Sequence, residues 1–447
     1  MKFNKIFLVL LAVTLSLSLV FTGCQGRKKT KKTVIRFLYW ETSAGLTLLK
    51  RMIIRYMKAN PDVEIIGQQI PSNQYQNSLL TQLASGKGPD IFELNMANLP
   101  VLVRRGQALN ISRYLQDFPG LALANFFPES MYFLQFDEKL MPGSGDIYGY
   151  PKDFSASQSL YCNSGIFERM GIPVPDKSID EAAFGALIKK LTLRDNTGRG
   201  LQYGYRNPGF ANFWWVLKAG GKLFSDDGKK CIANTPENLR GLRFYADLYQ
   251  FYKAVPNRAE AESGGLQGIE GIIGSGKFAI LPYGRYIYPN MKMYSKDNWE
   301  MMPLFYFSGQ KANNMITPPS GWTINAHTDK PREVVKFLEY LMSEEGNIMI
   351  ASLGYNIPPH KKVGLSEHFY KRTDADGRIN RYFIDELEKA SFMPYSPYAS
   401  MIDYSSLLEI DNDRIASSSR RMNDNELKEI LKNIEKTINN IISDNLK

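Results

Sequence analysis

An indole, a carboxylate, a hydroxyl and a carboxamide stand where two short apolar runs end. Trp40, Glu41 and Thr42 close residues 34–40, and Asn95 follows residues 90–94. In an open α/β sheet, ligands settle beyond the carboxyl ends of the strands. If both runs are strands, these side chains face whatever binds there, Trp40 by stacking and the others by hydrogen bonding. Asp153 is a second carboxylate suited to that role. Machinery for breaking bonds is scarcer. The chain has no Gly-x-Ser-x-Gly elbow, no Cys–His constellation and no Walker-type phosphate loop. His327, His360 and His368, with Cys24, Cys162 and Cys231, make a poor set for an ordinary zinc site. No metal and no cofactor is expected. Carboxylates are plentiful, so a pair of the glycosidase kind stays open.

The elements that must position these residues can be read from periodicity. Residues 34–40 are rich in β-branched and aromatic side chains and predict a strand. Leu46, Leu49, Ile53, Tyr56 and Met57 recur at helical spacing, and Asn60-Pro61 ends that helix. A strand over 63–70, a helix over 75–84, a turn at Gly86-Lys87-Gly88-Pro89 and a strand over 90–94 follow. Strand, helix, strand, helix, strand implies a parallel sheet with crossover helices. Asp90 reads as a turn residue capping nearby amides. Much later, Pro331 opens a helix over 331–343 behind Asp329, burying Val334, Phe337, Leu338 and Leu341. A last helix, about 425–445, lines up Leu427, Ile430, Leu431, Ile434, Ile438, Ile441 and Ile442 as a docking stripe, for the chain itself or for a partner.

The 447 residues are 44% hydrophobic and 22% charged, which fits a globular chain of two to three domains and excludes a disordered one. The net charge of +10 is concentrated at the start. Residues 1–33 carry seven basic residues and no acidic one, leaving 48 basic against 45 acidic beyond them. The basic footprint of a nucleic-acid binder is therefore missing from the folded part. Lys2 and Lys5 precede an apolar stretch, residues 6–21, too short to span a membrane comfortably. This is the layout of a secretory signal. Val20-Phe21-Thr22-Gly23-Cys24 resembles a bacterial lipobox, with Phe21 in place of the more usual leucine. The resemblance implies a signal peptide over 1–23, acylation of Cys24, and a tether over 24–33 whose five basic residues either lie on anionic lipid or serve as a solvated spacer. Cys162 and Cys231 are expected as free or buried thiols.

A wider resemblance rests on the order of several motifs. Tyr39-Trp40-Glu41 comes first, then residues 56–63 (Tyr-Met-Lys-Ala-Asn-Pro-Asp-Val) and residues 83–92 with Gly86-Lys87-Gly88-Pro89-Asp90. Tyr148-Gly149-Tyr150-Pro151, Leu160-Tyr161-Cys162-Asn163, Gly274-Ser275-Gly276-Lys277-Phe278-Ala279-Ile280, Ser320-Gly321-Trp322-Thr323-Ile324-Asn325 and residues 354–359 continue it. Together they span residues 34–360, and the set resembles the sugar-binding group of extracellular solute-binding proteins, the receptors of ABC importers. The resemblance implies an α/β, two-lobed, periplasmic-binding-protein-like (type II) fold. Each lobe would be a sheet flanked by helices, with a ligand cleft between them. The first lobe would take 34–146 and 324–359, the second 147–323 and 360–447. It also implies a monomeric, non-catalytic protein of the cell envelope that captures a carbohydrate and delivers it to an ABC permease. A surface receptor or sensor, and a secreted glycoside hydrolase, are the alternatives.

Sugars offer hydroxyl rims and C–H faces, so their sites combine aromatic platforms with polar partners. By the family pattern, Phe210 and Trp214, before the Ala219-Gly220-Gly221 turn, and Tyr286, after Ala279-Ile280, would face the ligand. Tyr283 and Trp322 stand in similar contexts, and Trp215 reads as core. Arg285, within Pro282-Tyr283-Gly284-Arg285-Tyr286, departs from the family's usual sequence and could bind an acidic or phosphorylated group bidentately, or pair with a carboxylate of the chain.

Overall fold

The computed structural model describes residues 32–41, 43–209, 213–398, 402 and 411–446. Cys24, Thr42 and Phe210 lie outside the described residues. The chain begins with β1 (Thr33–Tyr39), α1 (Ser43–Ala59), β2 (Val63–Gln69), α2 (Ser72–Ala84) and β3 (Ile91–Asn95). After several short turns come β4 (Tyr150–Pro151), β5 (Ser159–Asn163), α3 (Pro236–Gln250), β6 (Ile280–Tyr283) and β7 (Trp299–Met302). The remaining elements used below are β8 (Asn314–Ile316), β9 (Ser320–Ile324), α4 (Pro331–Met342), β10 (Ala390–Phe392) and α5 (Asp424–Leu446).

The first lobe is built on a five-stranded sheet in the order β2-β1-β3-β9-β4. β1 runs parallel to β2 and β3, as the alternating pattern predicts. β9 returns from far along the chain, antiparallel to both β3 and β4. α4 covers this sheet. Its Phe337 is fully buried, 5.5 Å from the Phe37 ring and 4.9 Å from the Tyr56 ring. Pro331 opens the helix as expected, but Lys330 rather than Asp329 holds the cap position.

The second lobe has a smaller antiparallel sheet, β6-β5-β7. All of β5 is buried, which suits a central strand. Beside it lies an aromatic core of Phe184, Trp214, Trp215, Phe244 and Phe305, with Phe184 and Phe305 stacked at 4.0 Å. The stripe of α5 belongs to this core, with Leu427, Ile430, Leu431, Ile434, Ile438 and Ile442 buried. The helix docks on its own chain. Cys162 and Cys231 are buried and unbridged.

Among the described residues, three stretches around Phe154–Ala156, Ile316 and Ile357 run side by side near the two sheets. Phe154 bridges to Ile357 and Ala156 to Ile316. Tyr150–Pro151 and Ser320–Ile324 both belong to the five-stranded sheet. The expected boundary at 146/147 falls before β4 of this sheet, and that at 323/324 falls within β9. Their glycines and prolines resemble a linker, yet Tyr150 pairs with Trp322, and Trp322 with Glu93.

Candidate ligand cleft

The first wall is the edge of the sheet where β1 and β3 end. Trp40 and Glu41 follow β1, Asn95 closes β3 opposite Ser320, and the Lys152 amide donates to the Ser320 carbonyl at 2.8 Å. Glu93, on β3, is wholly buried. Lys152 Nζ donates to Glu93 at 2.5 Å and to Glu41 at 2.9 Å. The other Glu93 oxygen accepts the Trp40 amide at 3.2 Å. One buried carboxylate thus fixes both the lysine and the turn that presents Trp40 and Glu41. The Trp40 ring is half-buried and meets Tyr75 edge-on at 4.4 Å. Burial pushes the Glu93 carboxyl up; Lys152 opposes the shift and Glu41 adds to it. Burial pulls the Lys152 ammonium down, but the carboxylates of Glu93, Glu41 and Asp153 together hold it above its ordinary value. Asp153 is half-buried, accepts a hydrogen bond from Asn356 Nδ2 at 3.0 Å, and is raised by burial.

Asn95 is exposed and its side chain accepts the Ala97 amide at 3.0 Å. It borders a cavity of about 320 Å³ between residues 95–98, Phe133, Pro318 and the segment Met393–Tyr395.

The second wall gathers around the end of β6. Tyr283 is nearly buried, and Tyr286, 39% exposed, meets it edge-on at 6.2 Å. The Arg206 guanidinium lies over the Tyr283 ring, 4.9 Å from its centre. The Arg206 amide donates to the Ile280 carbonyl at 3.0 Å, which ties it to the same strand. A Cβ on Gly284 would stand 2.8 Å from Ser155 Oγ, so this group sits against the first linking stretch. Burial raises the Tyr283 and Tyr286 phenols, and Arg206 partly opposes both shifts.

Three expected contacts are placed elsewhere. Trp214 is fully buried in the second lobe's core, 5.6 Å from the Phe305 ring, with Lys218 Nζ 4.7 Å above its own. Trp322 is 1% exposed, because β9 is interior to the sheet and its indole packs on Phe37 at 5.3 Å. Arg285 is 1% exposed and already occupied. Its Nε donates to Asn380 Oδ1 at 2.7 Å, another nitrogen donates to the Gly354 carbonyl, and Tyr288 and Phe369 flank it. Burial holds its pKa below the usual arginine value. Glu41 and Asp153 come together around Lys152, with Trp40 held beside them by Glu93; Tyr283 and Tyr286 meet beside Arg206; Asn95 borders the separate cavity near Met393–Tyr395.

Sequence reading missed Glu93, Lys152, Asn356 and Arg206. Glu93 left a signal: a carboxylate within the apolar run Ile91-Phe92-Glu93-Leu94 is buried only if it is paired.

A family model described as bacterial extracellular solute-binding protein matches residues 40–348. The chain belongs to this family. Among curated relatives, an arabinooligosaccharide-binding protein of Halalkalibacterium halodurans is 24% identical over 354 residues, covering 75% of this chain and 74% of its own. An ABC substrate-binding protein of Listeria monocytogenes, solved with cycloalternan, has a TM-score of 0.74 at 21% identity, over 91% of this chain and 99% of that one. The sugar-binding protein MalE of Xanthomonas citri has a TM-score of 0.73 at 17% identity, over 92% and 98%. These likenesses establish the two-lobed fold, and membership of an extracellular family puts the solute-binding protein outside the cytoplasm. Among the described residues, no helix is long and apolar enough to cross a membrane.

Proposed function

We propose that this solute-binding protein captures a carbohydrate between its lobes and hands it to an ABC permease without chemically altering it. The observation that carries the reading is the pairing of two unlike walls. Trp40, Glu41 and Asp153 offer an aromatic face and hydroxyl acceptors, and Tyr283 and Tyr286, beside Gly284 and Ser155 of the first linking stretch, offer a second aromatic face; we take the two groups as the two sides of one cleft. Aromatic faces with a few placed polar groups suit a sugar ring. The arabinooligosaccharide-binding relative and the neighbour solved with cycloalternan point the same way. The protein acts as a monomer outside the cytoplasm, anchored to a membrane by a lipid on Cys24, in the periplasm or on the outer face. Its lobes divide after Pro151, before Ser320 and near Ile357.

Two experiments test this. Oligosaccharide bound by the purified protein should be recovered intact after prolonged incubation; stoichiometric cleavage would favour a hydrolase. Cys24→Ser should move the protein from the membrane to the soluble fraction, and a variant that stays membrane-bound would remove the lipid anchor.

A further inference from the structure

Arginines in this molecule are nearly always committed wherever they are shielded from water. Arg194, Arg240, Arg243, Arg285, Arg372 and Arg381 are half-buried or buried, and each donates side-chain hydrogen bonds. Arg206 is the exception: it is half-buried, yet among the described residues its guanidinium has neither a hydrogen bond nor an ion-pair partner. A partly desolvated cation without a partner is costly, and an incoming anion relieves that cost.

We infer that Arg206, seated on Tyr283 beside Tyr286, is a carboxylate-binding subsite, and that the ligand is an acidic saccharide carrying a uronic acid residue. The inference rests on the carbohydrate reading above and sharpens it. The Tyr283 ring, 4.9 Å from the guanidinium, supports the cation through its face, and no hydrogen bond among the described residues claims the guanidinium N–H groups. Those groups form a fork that matches a planar carboxylate with two parallel hydrogen bonds. Tyr286, 39% exposed, stands next to the ring and offers its surface to the pyranose that bears the carboxylate. The Arg206–Ile280 backbone bond ties the arginine to the start of β6, while its guanidinium lies over Tyr283 at the strand's other end, next to Gly284, where a Cβ would stand 2.8 Å from Ser155 Oγ on the first linking stretch. The opposite wall behaves differently. There Lys152 is already satisfied by Glu93 and Glu41, so that wall presents acceptors for hydroxyls and repels a carboxylate. A ligand with one acidic end is therefore oriented as well as held.

The test is titration calorimetry on the full mature chain with matched pairs: digalacturonate against galactobiose, and glucuronic-acid-substituted xylotriose against xylotriose. The acidic member of at least one pair should bind tenfold or more tightly. That advantage should shrink in 0.5 M salt and disappear in Arg206→Met, while Arg206→Lys retains part of it. The wild-type pairs decide the matter even if the methionine variant folds poorly. Binding of a neutral saccharide with no gain from the carboxylate would overturn the inference and leave the carbohydrate reading standing. An acidic advantage that survives Arg206→Met would overturn the assignment to this arginine. Failure of every saccharide to bind would remove both.

Discussion

Glu93 holds the cleft edge together from inside the sheet. It takes Lys152 with one oxygen and the Trp40 amide with the other, and Lys152 carries Glu41 in turn. Removing the lysine leaves a buried carboxylate uncompensated, which costs about 3–5 kcal/mol in comparable sites. Lys152→Met should lower stability by that order in urea unfolding; a loss under about 1 kcal/mol would mean the pair is not fixed as drawn. The pH dependence has a definite sign. Burial raises the Glu93 carboxyl to about 7, so the folded chain keeps a proton that the unfolded chain releases near pH 4.3. Across that window the native state binds more protons, and this group's contribution to stability falls as pH rises. Glu93→Gln removes the slope. Relative to wild type, its melting temperature should rise between pH 5 and pH 7.5, and parallel curves would contradict the account.

The element that delivers Lys152 is only two residues long. β4 keeps its place because Gly321 lies against it without a side chain: a Cβ there would fall 2.2 Å from the Tyr150 carbonyl oxygen. Overpacking of this kind costs about 1–3 kcal/mol. Gly321→Ala should therefore both destabilise the fold and weaken ligand affinity, by displacing Lys152; unchanged affinity in a calorimetric titration would separate β4 from the site. Elements of this sort explain what sequence could and could not reveal. The run β1 to β3 was legible because its strands are continuous apolar stretches and α1 repeats every three to four residues. β4 was not, since Tyr150–Pro151 looks like a turn until Gly321 and Trp322, some 170 residues away in sequence, pair with it. For the same reason Trp40 could be placed at a strand end, whereas Trp322 and Trp214 could not be told from cleft aromatics. An aromatic next to glycine reads alike whether its strand or helix turns it outward or inward. Arg285 and Arg206 were likewise indistinguishable, because only the fold supplies Asn380 and the Gly354 carbonyl to the first and, among the described residues, only the Tyr283 ring to the guanidinium of the second.

Closure of lobes around a ligand is the expected motion of this architecture. Among the described residues, a further segment reaches across beside the linking stretches. Residues 390–392 pair with β8, and directly after them the chain meets the 132–140 region and Arg104. Phe392 stacks on Tyr132 at 3.5 Å, Tyr395 Oη donates to the Leu140 carbonyl at 2.8 Å, and Arg104 donates to the Pro397 carbonyl at 2.8 Å. These contacts tie the 392–397 segment to residues 104, 132 and 140. Phe392→Ala should increase the radius of gyration of the ligand-free protein in X-ray scattering, with saturating ligand restoring compactness; an unchanged radius would show that the segment carries no interlobe restraint. All of this serves one claim, that a saccharide is captured between the two walls. The most direct check is a thermal-shift series on the full mature chain, stripped of ligand by unfolding and refolding, against neutral and acidic oligosaccharides. A ligand that binds only the native state raises the melting temperature with its concentration over Kd. The account predicts a saturable rise with at least one saccharide class that is lost in Trp40→Ala and in Tyr286→Ala. No rise with any saccharide, or a rise that both variants keep in full, would contradict it.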